Sequence, residues 1–173
     1  MLVLFIVIAA VKPANSCTNF LVTKGASTDG STFLSYCFDM HTHYGELYFW
    51  PAATYPEGTM LPIVEWDTYK PLGEIKQVRQ TYSVIGNMNE HSVAMSETTF
   101  GGRKKLAAST GIMDYGAMIF VTIQRAKTAR ETIKIMTELA DEYGYYSGGE
   151  SYSICDPNEV WILELIGKGT KIV

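Results

Sequence analysis

The fold is decided by residues 17–36, which read CTNFLVTKGASTDGSTFLSY. Two short runs of β-forming residues, 18–23 and 31–36, flank a polar segment that contains Asp29-Gly30, a dipeptide typical of tight turns. This pattern predicts a β-hairpin that begins immediately after Cys17. We therefore place the start of the folded domain at Cys17.

The residues before Cys17 have the pattern of a secretory signal peptide. Residues 2–11 (LVLFIVIAAV) are apolar, but this run is shorter than the roughly 20 residues that a membrane-spanning helix needs. Lys12-Pro13 ends the run, and the small residues of Ala14-Asn15-Ser16 precede Cys17. We expect residues 1–16 to be removed after Ser16, and the product to be secreted or lumenal with no stable membrane insertion. The alternative is a buried first strand.

Cleavage after Ser16 would place a thiol and a free α-amine on the same residue. The pKa of an α-amino group is about 7.7–8.0, far below the pKa of a lysine amine. A free α-amine can therefore accept the thiol proton without a histidine. Two other interpretations stay open for Cys17. The first is lipidation of Cys17, as in a bacterial lipoprotein, although Ala-Asn-Ser lacks the usual aliphatic residue. The second is a structural cysteine paired with Cys37 or Cys155.

Length and charge limit the other functions. The 173 residues are enough for one domain, which we place at 17–173, and the net charge of −4 argues against a nucleic-acid partner. His41 and His43 form a His-Thr-His motif near Asp39, but no third ligand stands at a useful spacing, so no metal or other cofactor is expected. We interpret His91 as a turn residue. Cys37 and Cys155 are interpreted as buried small side chains or as a single disulfide.

The remaining chain predicts strands, then two helices, then strands. Strands are expected at 46–50, 82–85, 92–100, 150–155 and 159–167, and a long surface excursion at 51–62. Asp114 is a candidate N-cap for a helix within 113–126, and Thr128 with Glu131 forms a capping box for a helix that ends before Gly144. Residues 160–163 are apolar on both faces, which predicts a strand covered on both sides. Because the helices are grouped, the fold class is α+β.

A set of segments resembles the secreted dipeptidases of the PepD type, which are cysteine-type N-terminal-nucleophile hydrolases related to bile salt hydrolase and penicillin V acylase. In chain order they are CTN at 17–19, KGAS at 24–27, DGS at 29–31, GNMNEH at 86–91, ETTFGG at 97–102, DYG at 114–116, QRA at 124–126, YG at 143–144, GES at 149–151 and DPNEVW at 156–161. The resemblance implies an αββα sandwich and hydrolysis of dipeptides. Members of this family are much longer, so we expect this chain to be an N-terminal portion.

The resemblance also implies the site residues. Cys17 is expected to be the nucleophile, and Asp39 to orient its α-amine or to hold the substrate's amine. Many relatives carry an arginine three residues before this aspartate, where Tyr36 stands here. We expect Asn89 and Thr99 to lie where the oxyanion of the tetrahedral intermediate is stabilised, and Glu150 to contact substrate or to stabilise its turn. The two functions that remain open are a cysteine dipeptidase and a secreted, non-catalytic binding module of the same fold.

Overall fold

The computed structural model describes residues 17–39, 45–107, 110–168 and 171–172, which form thirteen strands and two α-helices. The strands are β1 (Thr18–Val22), β2 (Phe33–Cys37), β3 (Phe49–Trp50), β4 (Ala53–Thr54), β5 (Met60–Val64), β6 (Pro71–Lys76), β7 (Gln80–Thr81), β8 (Val84–Ile85), β9 (Met88–Asn89), β10 (Ala94–Thr99), β11 (Gly149–Cys155), β12 (Val160–Lys168) and β13 (Lys171–Ile172). The helices are α1 (Tyr115–Ile123) and α2 (Ala129–Tyr143). Every strand pair is antiparallel, and both helices fall between β10 and β11, which confirms the α+β class.

The predicted hairpin is present. β1 and β2 pair from Thr18 opposite Cys37 to Val22 opposite Phe33. The connection holds a short 3-10 helix, Lys24–Ala26, and Gly30 takes a φ of 76°, a left-handed conformation that glycine adopts without strain. Because the register places Thr18 beside Cys37, the residue before β1 lies next to the chain that leaves β2.

A seven-stranded sheet forms the body of the molecule. Its order is β13-β12-β11-β10-β9-β8-β3, and β10, β11 and β12 are its longest paired strands. The β1–β2 hairpin contacts β10 and β11, while α1 contacts β10 and α2 contacts β11 and β12. The hairpin, the sheet and the helix pair therefore meet at β10 and β11.

The two faces of β10 and β11 differ in chemistry because side chains alternate along a strand. On one face, Met95, Tyr152 and Ile154 are buried in the main hydrophobic core with residues of both helices. The opposite face is polar and carries Ser96 and Ser153. Asn19 of the hairpin bonds Ser153 of this polar face. Cys17 and Tyr36 of the hairpin instead bond Glu97, which shares the face of Met95.

Both helix starts predicted from the sequence are confirmed. The Asp114 carboxylate accepts the backbone N–H of Ala117 at 2.7 Å and caps α1. The Thr128 hydroxyl accepts the N–H of Glu131 at 3.1 Å and caps α2. The Glu131 carboxylate, however, accepts the N–H of Lys127 rather than that of Thr128, so the capping box is shifted by one residue.

The segment after α2 packs closely against the segment before α1, and a glycine on each segment allows this approach. Gly144 follows α2 with a φ of 73°, and a Cβ on Gly111 would lie 2.4 Å from the carbonyl carbon of Gly144. This approach allows the backbone N–H groups of Ile112 and Met113 to donate to the carbonyls of Tyr143 and Gly144. Larger residues at 111 would separate the two segments.

Three predictions about secondary structure and burial need correction. Residues 51–62 lie at the surface as predicted, but they contain β4 and the beginning of β5, and the β5–β6 hairpin was missed because Pro62 and Pro71 argued against strands. The strand at 46–50 is reduced to β3. β12 is not covered on both sides, because Ile162 is 62% exposed.

Candidate active site

Cys17 lies at the position where the hairpin, β10 and the end of β2 meet. Its thiol is partly buried, and the sulfur lies 3.7 Å from Oε1 of Glu97 on β10. Burial raises the pKa of the Cys17 thiol, the backbone N–H of Asp39 lowers it, and the negative charges of Glu97 and Asp39 raise it again, with a net increase. The thiol is therefore protonated at neutral pH and needs a base to become a nucleophile.

Glu97 is the charged group at the centre of the site. It is 1% exposed, and its Oε1 also accepts a hydrogen bond from the Tyr36 hydroxyl at 2.6 Å. Burial and the neighbouring Glu97 raise the pKa of Tyr36 far above its ordinary value, so the phenol is a neutral donor. Two donors from the hairpin thus converge on one carboxylate oxygen of the sheet.

Glu150, on β11, lies behind Glu97 and is fully buried. Burial and a hydrogen bond with Glu97 raise the pKa of Glu150 to about 9. The Thr99 hydroxyl, from the position directly opposite on β10, donates to Oε2 of Glu150 at 3.1 Å. Glu150 consequently carries a proton at neutral pH, which is how a protein accommodates two adjoining buried carboxyls.

Asn19 fixes the hairpin to the sheet. Its side-chain amide donates to the Glu97 backbone carbonyl at 3.0 Å, to the Thr98 hydroxyl at 2.8 Å and to the Ser153 hydroxyl at 3.3 Å. Because Asn19 is two residues after Cys17, these bonds hold the cysteine in place against β10.

Asp39, which the family resemblance implies near the nucleophile, also lies beside Cys17, but its side chain is exposed and accepts a hydrogen bond from the Cys37 thiol at 3.3 Å. That bond raises the pKa of Cys37. Cys37 is exposed rather than buried, Cys155 is buried, and all three cysteines are free thiols. The disulfide alternatives for Cys17, Cys37 and Cys155 are therefore wrong for this structure.

The structure places Asn89 away from these contacts. Its amide donates to the carbonyls of Ile123 and Ala126, both at 2.7 Å, and its carbonyl oxygen accepts the N–H groups of His91 and Val93. Its own N–H bonds the Val93 carbonyl. These bonds hold the β9–β10 turn against the end of α1 and leave the side chain no free donor.

No group of three or more His, Cys, Asp or Glu side chains in the described ranges has an arrangement suited to a metal ion. His41, His43 and the predicted signal peptide lie outside the described residues. His91 lies in the predicted turn and stacks edge-on against Tyr82. Neither of the two described helices has the length and apolar character needed to cross a bilayer.

A cysteine held among carboxylates on an α+β scaffold is compatible with a thiol-dependent hydrolase. The comparison with known families agrees: residues 16–173 match the model of peptidase family C69, and the chain belongs to that family. It is similar to a protein described as a probable dipeptidase from Latilactobacillus sakei, with 30% identity over 172 aligned residues. The aligned region covers 88% of this chain and 35% of the relative, so the chain spans about a third of that protein's length.

Sequence reasoning assigned no role to Glu97 or Asn19. A signal for Glu97 was available, because a glutamate stands in the middle of a strand and shares the face of Met95, where a charge requires a partner. Its partners are 61 and 80 residues away in the chain, so the sequence pattern did not identify them.

Proposed function

We propose that the protein is a cysteine dipeptidase whose nucleophile is Cys17, made N-terminal by cleavage after Ser16, within an αββα sandwich. The observation that carries this proposal is the placement of the Cys17 thiol, at the start of β1, against Glu97 and beside Asp39. Membership of peptidase family C69 and the similarity to a probable dipeptidase support it.

The raised pKa of the Cys17 thiol calls for a general base. No histidine contacts this thiol within the described residues. A free α-amine on Cys17 would be a base on the same residue, and about half of it would be neutral near pH 8. It takes the thiol proton, directly or through one water, as the sulfur attacks the peptide carbonyl. The resulting ammonium then protonates the leaving amine, and water hydrolyses the thioester by the reverse route.

The charge of the site favours a substrate with a free amino terminus. The charged groups that act on Cys17 are Asp39 and Glu97, which are both acidic. Asp39 is exposed and is therefore the carboxylate that we assign to the substrate ammonium, while Glu150, which holds a proton, supports Glu97 instead. A dipeptide places that ammonium next to the scissile bond. The oxyanion that forms needs backbone or side-chain donors, and we place one of them near Thr99.

A non-catalytic binding module is the second candidate, and one observation favours it. Tyr36 stands three residues before Asp39, where the resemblance implies an arginine in many relatives, and its neutral hydroxyl hydrogen-bonds Glu97. A module of this kind would bind dipeptides at the same site and release them unchanged. We also propose that the protein acts after secretion, outside the cytoplasm, on the basis of residues 1–16.

Three forms of the protein at its natural length distinguish these proposals. The first has its natural amino terminus, the second retains one alanine before Cys17, and the third carries Cys17→Ser. Intact-mass analysis identifies the amino terminus, and hydrolysis of a dipeptide panel is followed by release of free amino acids. We expect turnover in the first form only, because an amide nitrogen has no basicity and serine is the poorer nucleophile. Undiminished turnover with the extra alanine would refute the mechanism, and dipeptide binding without turnover in all three forms would favour the binding module.

A further inference from the structure

We propose that Glu97 is the positioning residue of the nucleophile: its ionised carboxylate holds the Cys17 thiol as a hydrogen-bond donor, and a protonated Glu150 behind it keeps the negative charge on Glu97. This inference rests on the proposed function only in treating Cys17 as the nucleophile. The environment of the thiol itself is measurable without turnover.

The first argument is the geometry at one oxygen. Oε1 of Glu97 is the acceptor for the Tyr36 hydroxyl at 2.6 Å and for the Cys17 thiol at 3.7 Å. Glu97 is 1% exposed and has no ion-pair partner among the described residues. A buried carboxylate without a cation depends on hydrogen-bond donors, and Tyr36 and Cys17 are the donors provided.

The second argument is the location of the proton in the carboxyl pair. Within the described part of the chain, Oε2 of Glu97 and Oε1 of Glu150 are buried and have no hydrogen-bond partner. Burial and the neighbouring Glu97 raise the pKa of Glu150 to about 9, so we infer that the pair of carboxyl groups holds one proton. Oε2 of Glu150 already accepts from Thr99, and Oε1 of Glu97 already accepts from Tyr36 and Cys17. The arrangement that satisfies all four oxygens has the proton on Oε1 of Glu150.

The third argument is the effect of this charge on the reaction. An adjacent carboxylate disfavours the thiolate and fixes the direction of the S–H bond. When the α-amine of Cys17 is free, the S–H bond breaks, its electron pair stays on sulfur and the proton goes to nitrogen. The C–S bond then forms as the carbonyl π electrons move to oxygen. Before cleavage the amide accepts no proton, so Glu97 keeps the precursor's thiol in its unreactive form.

The titratable groups around the thiol come from five segments of the chain. They are Tyr36 and Asp39 on and after β2, Glu97 on β10, Glu150 on β11, Tyr115 on α1, which interacts with Glu97, and Asp67, which acts on Glu150. Among the described residues, the charges that act on Cys17 are those of Glu97 and Asp39, and Asp39 also acts on Cys37. Cys37 is therefore an internal reference that reports Asp39 but not Glu97.

The test is the pH dependence of iodoacetamide alkylation, measured separately for each cysteine by peptide mass spectrometry. We compare the natural protein with Glu97→Gln and with the matched variant Glu150→Gln. Both substitutions replace a carboxyl by an amide of the same shape, but only the first removes a charge. We expect alkylation of Cys17 at pH 7.5 to be about tenfold faster in Glu97→Gln, because one pKa unit is a factor of ten. Glu150→Gln should leave the Cys17 profile below pH 8 unchanged, and Cys37 should be unchanged in both.

Tyr36→Phe supplies an independent arm with the opposite sign. Removal of the Tyr36 hydroxyl leaves the thiol as the remaining donor to Oε1 of Glu97. The pH profile of Cys17 alkylation should therefore move to higher pH. If Glu97→Gln does not fold, as judged by circular dichroism, this arm alone decides. Two results would overturn the assignment of Glu97 as the positioning residue. One is an equal shift of the Cys17 alkylation profile in Glu97→Gln and Glu150→Gln, and the other is an unchanged profile in Tyr36→Phe. Turnover in the form that retains a residue before Cys17 would instead refute the proposed function and leave the alkylation result standing.

Discussion

The Tyr36 hydroxyl of the hairpin donates a 2.6 Å hydrogen bond to the buried Glu97 carboxylate of the main sheet, although the two residues are 61 positions apart in the chain. This bond joins the strand pair that carries Cys17 to the strand that carries the site's charge. It also gives Tyr36 a chemical role, as a neutral donor to a buried carboxylate.

Loss of this hydrogen bond is expected to destabilise the fold. In Tyr36→Phe the buried Glu97 loses its shortest donor, and a charged hydrogen bond of this kind contributes about 1.5–3 kcal/mol. Urea unfolding measures the change. The matched variant is Tyr115→Phe, whose hydroxyl bonds the exposed Asp67 at 2.6 Å and should cost well under half as much. Equal losses in both variants would contradict the special role of the buried pair.

Asn19→Ala is expected to loosen the hairpin from the sheet. Three donor contacts from one amide are removed, to the Glu97 carbonyl and to the hydroxyls of Thr98 and Ser153. We expect a loss of about 2–3 kcal/mol in the free energy of unfolding, because buried acceptors lose their partner. Asn158→Ala, which removes only an exposed contact with Lys24, is the control and should be nearly neutral. A neutral Asn19→Ala would show that the hairpin is held by other contacts.

Asn89→Ala should be among the most destabilising single changes in the chain. The variant leaves two carbonyls and two N–H groups of the β9–β10 turn and the end of α1 without partners. The expected loss is about 3 kcal/mol or more, measured by thermal unfolding. Asn87→Ala, which removes one contact with the Tyr48 hydroxyl, should cost much less. If both variants melt together, the turn does not depend on the Asn89 amide.

Asp39→Asn should reduce dipeptide turnover by at least tenfold and leave the unfolding midpoint nearly unchanged. The side chain is exposed, so its removal has little effect on packing, whereas its charge lies beside Cys17. Steady-state kinetics on the protein at its natural length, with Asp141→Asn on the exposed side of α2 as the control, measures the effect. Normal turnover in Asp39→Asn would remove this residue from the mechanism.

The buried Glu150 should make stability depend on pH. Its pKa is raised from an ordinary value of 4.5 to about 9 in the folded protein, so the folded state binds the proton more tightly than the unfolded chain does. Its contribution to stability is full below pH 4.5 and is lost as pH rises toward 9. Glu150→Gln should flatten this decline, as measured by urea unfolding between pH 5 and 8.5. The same slope in the variant and the natural protein would show that other groups cause it.

The parts of the fold that could be predicted are those specified by local sequence. The hairpin follows from its turn and its alternating residues, and the starts of both helices follow from Asp114 and Thr128, whose side chains bond N–H groups three residues away. The β5–β6 hairpin was missed because Pro62 and Pro71 are tolerated on strands without a second neighbour, which is a property of the sheet and not of the residue.

In the candidate site, too, some residues could be predicted from the sequence and others could not. Cys17 was predicted from the signal-peptide pattern that precedes it, and Asp39 from the family resemblance, so neither prediction needed the three-dimensional structure. The charge on Glu97 and the proton on Glu150 depend on burial and on contacts between distant segments, which no local pattern contains. Asn89 was predicted to lie at the site, but its side-chain amide holds the β9–β10 turn against the end of α1.

The Asn19 amide also sets an order of events during synthesis. Cys17 leaves the ribosome early, but the groups that Asn19 binds come 78, 79 and 134 residues later. We expect the hairpin to pair through its local contacts before β10 and β11 are synthesised, because closure of so long a loop follows local pairing. The contacts that hold Cys17 in place are thus completed late although the residue is translated early, and a chain that stalls before Ser153 exposes this thiol before its surroundings have formed.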